Sequence, residues 1–324
     1  MNNSIFRSMV KGFYDAQKLR MQVGLRIVAN VKVRMGQPPG KKEAEMDDAA
    51  LALIDQIRNE YTRITDSLTT INTRTKVKAI EQGGGIIADI FEYELAGYYV
   101  QLLNSETNLE KTITPALKQF PIFTEYLTGV KGCGPLMSAV IISELDPFKA
   151  NRISGFWKYA GLDVIQITEQ REVDEEYEGE EEVEVRLDPA TGKLIRFIEL
   201  TKGEGRCRKT HHMIDVDYIN KKGKPATRRS ITFNPFLKTK LVGVLAGSFL
   251  KCKSPYSDIY YGYKARLEAR PDTALYTLGH RHDMAMRYMI KIFLQDLWLK
   301  WRELEGLEIT APYAEAKLGL KHGA

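Results

Sequence analysis

The stretch at residues 119–162 constrains the fold of this chain more than any other part of the sequence. It opens with apolar residues at helical spacing, passes through a turn with glycines at 129, 132 and 134, and continues into an apolar segment that begins at Pro135. Proline is favoured at the first position of a helix, and glycines in the preceding turn allow the backbone there to adopt a positive φ. The sequence therefore predicts two helices joined by a tight turn.

The turn between these helices has the properties of an anion site. Backbone amides at the start of a helix have no partner within the helix and attract negative charge, which suits a phosphate group. This layout is typical of a helix-hairpin-helix, which holds DNA by its phosphates rather than by its bases. A glycine-rich turn that only connects two helices is the alternative.

The residues after the turn follow an order that a known family shares. Glu144 and Asp146 are followed by Phe148, and residues 156–162 read FWKYAGL. Here the sequence resembles the C-terminal transposase domain of the DEDD-type, bridge-RNA-guided insertion-sequence transposases, the IS-one-ten family. That family carries Pro-Gly-x-Gly-Pro at the turn, then an acidic residue, an aromatic residue and a similar ending. In this chain Lys131 stands where the family usually has proline.

The resemblance continues toward the C-terminus. Residues 228–246 and 255–267 look like the family's remaining helices, so the similarity covers roughly residues 90–300, with an insert between its two parts. It implies a DNA-binding protein that acts in transposition.

The related transposases also carry an N-terminal nuclease-like domain of the RNase H type, whose carboxylates hold divalent metal ions. That domain opens with an apolar strand that ends in aspartate, and residues 1–118 contain no such pattern. Helical segments stand in its place. No cofactor is evident from the sequence, and Mg²⁺ would be needed only if a carboxylate site exists that the sequence does not reveal.

A serine in the C-terminal domain is the second catalytic element of the family, and the resemblance implies that it attacks a DNA phosphate. Ser230 is the best-placed candidate, because Arg228 and Arg229 beside it would stabilise the charge that develops on the phosphate. The alternative is a serine that caps a helix beside two phosphate-binding arginines.

Positive charge is concentrated in two segments. Residues 1–42 carry nine Lys or Arg residues against one acid, residues 201–253 carry thirteen against three, and residues 169–184 hold ten acids. This distribution favours a polyanionic partner over an ordinary solvated surface. The candidate nucleic-acid-binding residues are Lys131, Gly132, Gly134, Arg206, Arg208, Lys209, Lys224, Arg228 and Arg229.

Composition and targeting signals indicate a location. No apolar run reaches the roughly 18 residues of a membrane span, and the first residues lack the apolar core of a signal peptide. The three cysteines are widely spaced, which is typical of a reducing compartment. A cytoplasmic protein with no membrane partner is expected. Cys207, His211 and His212 would bind zinc only with a further ligand.

Periodicity predicts a mainly α fold. Helical patterns cover residues 3–35, a segment from Asp47 onward, and residues 86–103, where Asn104 and Ser105 are expected to end the helix. Alternation with period two on both sides of residues 188–192 predicts a β-hairpin. Residues 203–229 are polar and basic and are expected to form a loop.

Four segments are predicted along the chain. They are a helical N-terminal region at 1–118, a helix-hairpin-helix segment at 119–165, an acidic β-hairpin insert with a basic loop at 166–226, and a C-terminal helical part of a transposase domain at 227–324.

The favoured interpretation is a transposase-family protein that binds DNA in transposition or site-specific recombination of an insertion sequence, with Ser230 as nucleophile if the protein is an active enzyme. The first alternative is a non-catalytic DNA- or RNA-binding accessory protein derived from such a transposase. A third is a helical protein that serves mainly protein–protein assembly. DNA is the expected partner, a structured guide RNA is left open, and the apolar helix stripes predict a homo-oligomer.

Overall fold

The computed structural model describes residues 3–36, 47–174, 176–179, 183–187, 194–206 and 213–310. Within this part of the chain the fold is mainly α, as the periodicity predicts. The chain divides into two compact units, Met1–Phe120 and Pro121–Ala324.

The described part of the first unit contains four long helices: α1 (Asn3–Arg34), α2 (Asp48–Ser67), α3 (Thr73–Gly83) and α4 (Ile90–Ala116). Asp47 begins α2, because its carboxylate accepts a hydrogen bond from the amide of Ala50. Arg20 of α1 and the buried Glu106 of α4 form an ion pair with 2.5 Å between Nε and Oε2. Apolar residues of α1, α2 and α4 form the core around it.

Helix α4 passes through Asn104 and Ser105, so the break predicted there is wrong. The hydroxyl of Ser105 donates to the carbonyl of Gln101, one turn back, and therefore does not compete with the helix. Burial of Glu106 and Ile113 on the far side of this point holds the helix together. Tertiary packing outweighs the weak local preference for a break.

The second unit contains the remaining helices, which are α5 (Pro121–Glu125), α6 (Pro135–Glu144), α7 (Ile153–Tyr159), α8 (Pro235–Lys238), α9 (Ala246–Lys251), α10 (Pro255–Ala269), α11 (Pro271–Ala274) and α12 (Leu278–Leu304). A π-helical segment, Thr239–Leu245, joins α8 to α9. Helix α6 lies at the centre of this unit, because every residue from Met137 to Glu144 is buried.

The loop after α6 is anchored on α12. The indole of Trp298 donates to the carbonyl of Ala150 over 2.8 Å, and the buried guanidinium of Arg302 donates to Pro147 over 2.7 Å. These bonds satisfy carbonyls that would otherwise be buried without partners. The C-terminal helix thereby fixes the segment that carries the FWKYAGL sequence.

Three antiparallel strands follow α7: β1 (Val164–Val173), β2 (Val183–Leu187) and β3 (Leu194–Arg206), in the order β1-β3-β2. Leu187 pairs with Leu194, so the predicted hairpin is present as β2 and β3, and its turn at residues 188–193 lies outside the described residues. Strand β1 pairs with β3 from Val164 to Val173 and gives the hairpin a third strand.

The described parts of residues 203–229, which are 203–206 and 213–229, are not the loop that their polarity predicts. Strand β3 continues to Arg206, and a two-stranded ribbon follows, formed by β4 (Met213–Ile219) and β5 (Pro225–Ile231). Strand β4 alternates isoleucine, valine and tyrosine with two aspartates, which is the period of a strand. The high charge of the segment masks this alternation, because charged residues are usually taken as a sign of loops. The domain boundary expected at 226/227 falls inside β5.

Candidate nucleic-acid interface

At Gly132 the glycine turn is held by contacts with another helix of the same unit. This residue has φ +95°, and a Cβ added to it would lie 3.1 Å from Phe249 Cδ1 and 3.4 Å from the Phe249 amide nitrogen. The Ser248 hydroxyl donates to the carbonyl of Gly132 over 2.8 Å. Helix α9 therefore packs directly against the turn, and glycine is required there by φ and by this contact.

The second glycine of the turn faces open space. Gly134 precedes α6 with φ −71°, and a Cβ added to it would meet no atom within 4 Å. No side chain caps α6, and its first internal hydrogen bond runs from the Ser138 amide to the Gly134 carbonyl. Pro135 has no amide hydrogen, so the amides of Leu136 and Met137 are the ones in the first turn that have no partner one turn back in the helix. Lys131, which is exposed, precedes them in the chain.

A half-buried chain of two hydroxyls and a carboxylate supports the start of the turn. The Tyr126 and Tyr256 hydroxyls lie 2.9 Å apart, and Tyr256 donates to Asp296 Oδ2 over 2.9 Å. Burial raises the pKa of Tyr126 to about 12, raises the pKa of Tyr256 well above its usual range, and raises the pKa of Asp296. Because burial disfavours their charged forms, this chain is structural and joins the turn to α10 and α12.

The Tyr159-Ala160-Gly161-Leu162 sequence ends α7 in a Schellman motif. The Leu162 amide donates to the Trp157 carbonyl over 2.8 Å, and the Gly161 amide donates to Lys158 over 3.0 Å. Gly161 has φ +66°, and a Cβ there would lie 2.6 Å from the Phe233 ring. These residues therefore have a local structural role. They end α7, and the absence of a side chain at Gly161 leaves room for the Phe233 ring.

Asn234 joins three parts of the second unit. Its amide nitrogen donates to the buried carboxylate of Glu144 over 2.6 Å, and its amide oxygen accepts from the Leu237 amide and so caps α8. Its backbone nitrogen donates to the Tyr159 carbonyl over 2.8 Å. Asn234, three residues after the end of the ribbon, is thus fixed to the ends of α6 and α7.

The ribbon formed by β4 and β5 has two different faces. Because side chains alternate along a strand and paired residues share a face, one face carries Ile214, Val216, Tyr218, Ala226, Arg228 and Ser230. We call it the Arg228 face. The opposite side, the Arg229 face, carries Asp215, Asp217, Ile219, Pro225, Thr227, Arg229 and Ile231.

The two faces differ in charge. On the Arg228 face the guanidinium lies over the Tyr218 ring, 5.3 Å from its centroid. On the Arg229 face, Arg229 lies 4.0 Å from Asp215, and Thr227 donates to Asp217 over 3.0 Å. Both carboxylates of the ribbon therefore lie on the Arg229 face, and the Arg228 face carries none.

The tip of the ribbon is a tight turn of exposed basic residues. The Asn220 side chain accepts hydrogen bonds from the amides of Lys222 and Lys224, and Gly223 has φ +72°. Lys221, Lys222 and Lys224 are exposed. Of these three, the sequence analysis named only Lys224. The signal that could have added the others is the pair of turn-forming residues, Asn220 and Gly223, that brackets two lysines between two alternating segments.

Ser230 lies in strand β5, paired with Ile214, and is half-buried. The interpretation of this serine as a helix cap is wrong, because α8 begins five residues later and Asn234 caps it. The two neighbouring arginines do not surround it together. Arg228 shares its face, whereas Arg229 points to the other side.

The predicted residues fall into two described groups. The turn holds Lys131, Gly132 and Gly134, and the ribbon holds Lys224, Arg228, Arg229 and Ser230. Arg208 and Lys209 lie outside the described residues, as do Cys207, His211 and His212. Arg206 ends β3 opposite Val164, and its side chain is likewise outside the description.

Two searches of the described residues bear on cofactors and membranes. They contain no group of three or more His, Cys, Asp or Glu side chains placed to hold a metal ion. Nor does any helix in this part of the chain combine the length and apolarity that a membrane crossing needs. No family model, curated protein or solved structure matches this chain.

Proposed function

We propose that this protein binds DNA through the β4–β5 ribbon and the turn before α6, in transposition or site-specific recombination of an insertion sequence. The observation that carries the proposal is the basic ribbon. It bears five Lys or Arg residues and two Asp residues on an arm whose side chains are mostly exposed. Exposed basic side chains gain binding free energy from polyanions by releasing condensed counterions.

The turn supplies a second contact of different chemistry. The open amides at the start of α6 suit a phosphate oxygen, and Gly134 leaves space for it to approach. Phosphate contacts of this kind set the position of a protein on DNA without reading its sequence. Ribbon and turn belong to the same compact unit, which supports their acting on one nucleic acid.

The chemical step of the proposal is attack of the Ser230 Oγ on a DNA phosphate: the Oγ–P bond forms as one P–O bond of the DNA backbone breaks, the serine proton passes to solvent, and the displaced sugar oxygen leaves as a hydroxyl. Arg228 on the same face of the ribbon supports it, because a guanidinium would stabilise the developing negative charge. The second candidate is a non-catalytic accessory protein that binds DNA or RNA, and the half-buried position of Ser230 within a strand favours it. A cytoplasmic location and homo-oligomer formation belong to the proposal as further expectations, and a structured guide RNA is left open.

The salt dependence of DNA binding tests the proposal. Fluorescence anisotropy would follow a labelled DNA duplex across a series of KCl concentrations. Replacement of Lys221, Lys222 and Lys224 by alanine should make the slope of log K against log salt shallower by up to about 2.7, at about 0.9 per lost phosphate contact. The matched control removes the same charge elsewhere, from the exposed Lys111, Lys118 and Lys149. Equal effects of both triple variants would remove the ribbon from the interface, and absence of binding would overturn the proposal.

A further inference from the structure

The β4–β5 ribbon has the dimensions of an element that fits a DNA groove. Each strand has seven residues, which at about 3.3 Å per residue gives a length of about 23 Å. Its two strands, about 4.8 Å apart, pair with each other and with no other described strand. The major groove of B-form DNA is about 12 Å wide and admits a two-stranded ribbon.

We infer that the ribbon lies in the major groove of double-stranded DNA with its Arg228 face toward the bases, and that Arg228 contacts a guanine. The inference rests on the DNA-binding part of the proposed function and makes it more specific. Because an Arg228 that contacts a guanine is not at the phosphate that Ser230 would attack, the inference goes with the non-catalytic accessory protein. Arginine is suited to this role because its planar guanidinium donates two parallel hydrogen bonds to the guanine O6 and N7 atoms.

The charges of the ribbon determine which face points inward. A face turned to the groove floor lies between two rows of phosphates, so carboxylates there would be repelled. Asp215 and Asp217 both lie on the Arg229 face, and this face therefore points to solvent. The inward face then presents Arg228, together with the exposed apolar side chains of Ile214 and Tyr218, which suit contact with thymine methyl groups.

The contacts of Arg228 and Arg229 support the same orientation of the ribbon in the groove. Arg229 has a carboxylate, Asp215, within 4.0 Å on its own face. Arg228 is held over the Tyr218 ring, which orients the guanidinium without neutralising it. An oriented cation loses less conformational entropy on binding, so it is the better reader of a base edge.

The tip of the ribbon supplies the contacts to phosphates in this arrangement. Lys221, Lys222 and Lys224 extend beyond the paired strands, where they reach the phosphates that border the groove. A-form RNA offers no equivalent site, because its major groove is deep and narrow. The inference therefore commits to duplex DNA.

Selection from a random duplex DNA library tests the inference with the full-length protein. Wild type should enrich a motif that contains a guanine. Arg228→Ala should lose preference at that position and bind the wild-type motif about 5- to 150-fold more weakly. Arg228→Lys keeps the charge and should still lose the preference. Arg229→Ala, the neighbouring residue on the opposite face, is the matched control and should keep the motif.

Four results would overturn the inference: an unchanged motif with Arg228→Ala, loss of the motif with Arg229→Ala, duplex binding by wild type with no sequence preference, or equal competition by double-stranded RNA. The proposed function survives the first three, since DNA binding persists in each. Failure of wild type to bind any duplex DNA would instead contradict the proposed function. Circular dichroism and thermal melting of each variant separate lost recognition from lost folding.

Discussion

Ser248 of α9 donates its hydroxyl hydrogen to the carbonyl oxygen of Gly132 across 2.8 Å. This bond joins the turn before α6 to a helix more than a hundred residues later in the chain. It also explains why the two glycines of the turn have different roles. Gly132 is held against Phe249, whereas Gly134 stands clear of other atoms.

Substitution of these two glycines should lower stability to different extents. Gly132→Ala should lower the free energy of unfolding by about 1–3 kcal/mol, because alanine is strained at φ +95° and its Cβ would lie 3.1 Å from Phe249. Gly134→Ala should cost less than about 1 kcal/mol, because φ is ordinary and the space is open. Urea denaturation of both variants measures the difference. Equal losses would mean that α9 does not constrain the turn.

A second carboxylate beside Glu144 should make stability depend on pH. Asn234→Asp keeps the cap on α8 but replaces a donor, 2.6 Å from the Glu144 carboxylate, by a like charge. Repulsion between two ionised carboxylates at this distance destabilises the folded state, so the variant loses stability at pH values where both are charged. We expect a deficit relative to wild type that is about 2 kcal/mol larger at neutral pH than near pH 4.

Asn234→Ala is the control for this pair. Like the aspartate variant it loses the bond to Glu144, and it also loses the cap on α8, but it adds no charge, so its deficit should change little between the two pH values. If the aspartate variant shows the same flat pH dependence, the two side chains are not in contact.

The alkaline limit of stability should depend on Tyr126. Its pKa is raised by burial from a usual value of 10.0 to about 12, so this group stabilises the fold fully below pH 10 and loses that contribution as pH rises toward 12. Tyr126→Phe should be about 1 kcal/mol less stable at neutral pH, since the bond to Tyr256 is lost. Its stability should then fall less steeply above pH 10.

Denaturation curves between about pH 8 and pH 11 measure this slope. The exposed Tyr261, replaced by phenylalanine, serves as control for tyrosine ionisation at the surface. A slope for Tyr126→Phe as steep as that of wild type would contradict the assignment of alkaline sensitivity to this hydroxyl.

Ser230→Ala decides between the enzymatic and the accessory interpretation. The change removes one hydroxyl from a half-buried strand position, so DNA affinity should be retained. If the serine is the nucleophile, the variant should form no covalent protein–DNA adduct under conditions in which wild type does. Denaturing gels with end-labelled DNA detect the adduct, and Ser105→Ala, at an exposed serine of α4, is the control. An adduct that persists rules Ser230 out, and its absence from wild type favours the accessory protein.

Long-range packing accounts for the main differences between prediction and structure. Helix α1 was predictable, because its apolar residues keep a helical period along its length. Helix α4 was predicted too short, since Asn104 and Ser105 weaken a helix locally while Glu106 and Ile113 bury themselves beyond that point. The ribbon was missed because the charges of β4 and β5 suggested a loop. Its pairing joins residues up to eighteen positions apart.

The sequence by itself determined the mainly α class, the starts of α2 and α6, and the concentration of basic residues after residue 200. These features depend on local spacing, capping and charge, which a sequence carries directly. Only the tertiary structure decided that Gly132 serves contact with α9, that Ser230 lies in a strand, and that Arg228 and Arg229 point to opposite sides. Those properties depend on partners distant in sequence and on the register of a strand pair, where a shift of one residue would exchange the faces.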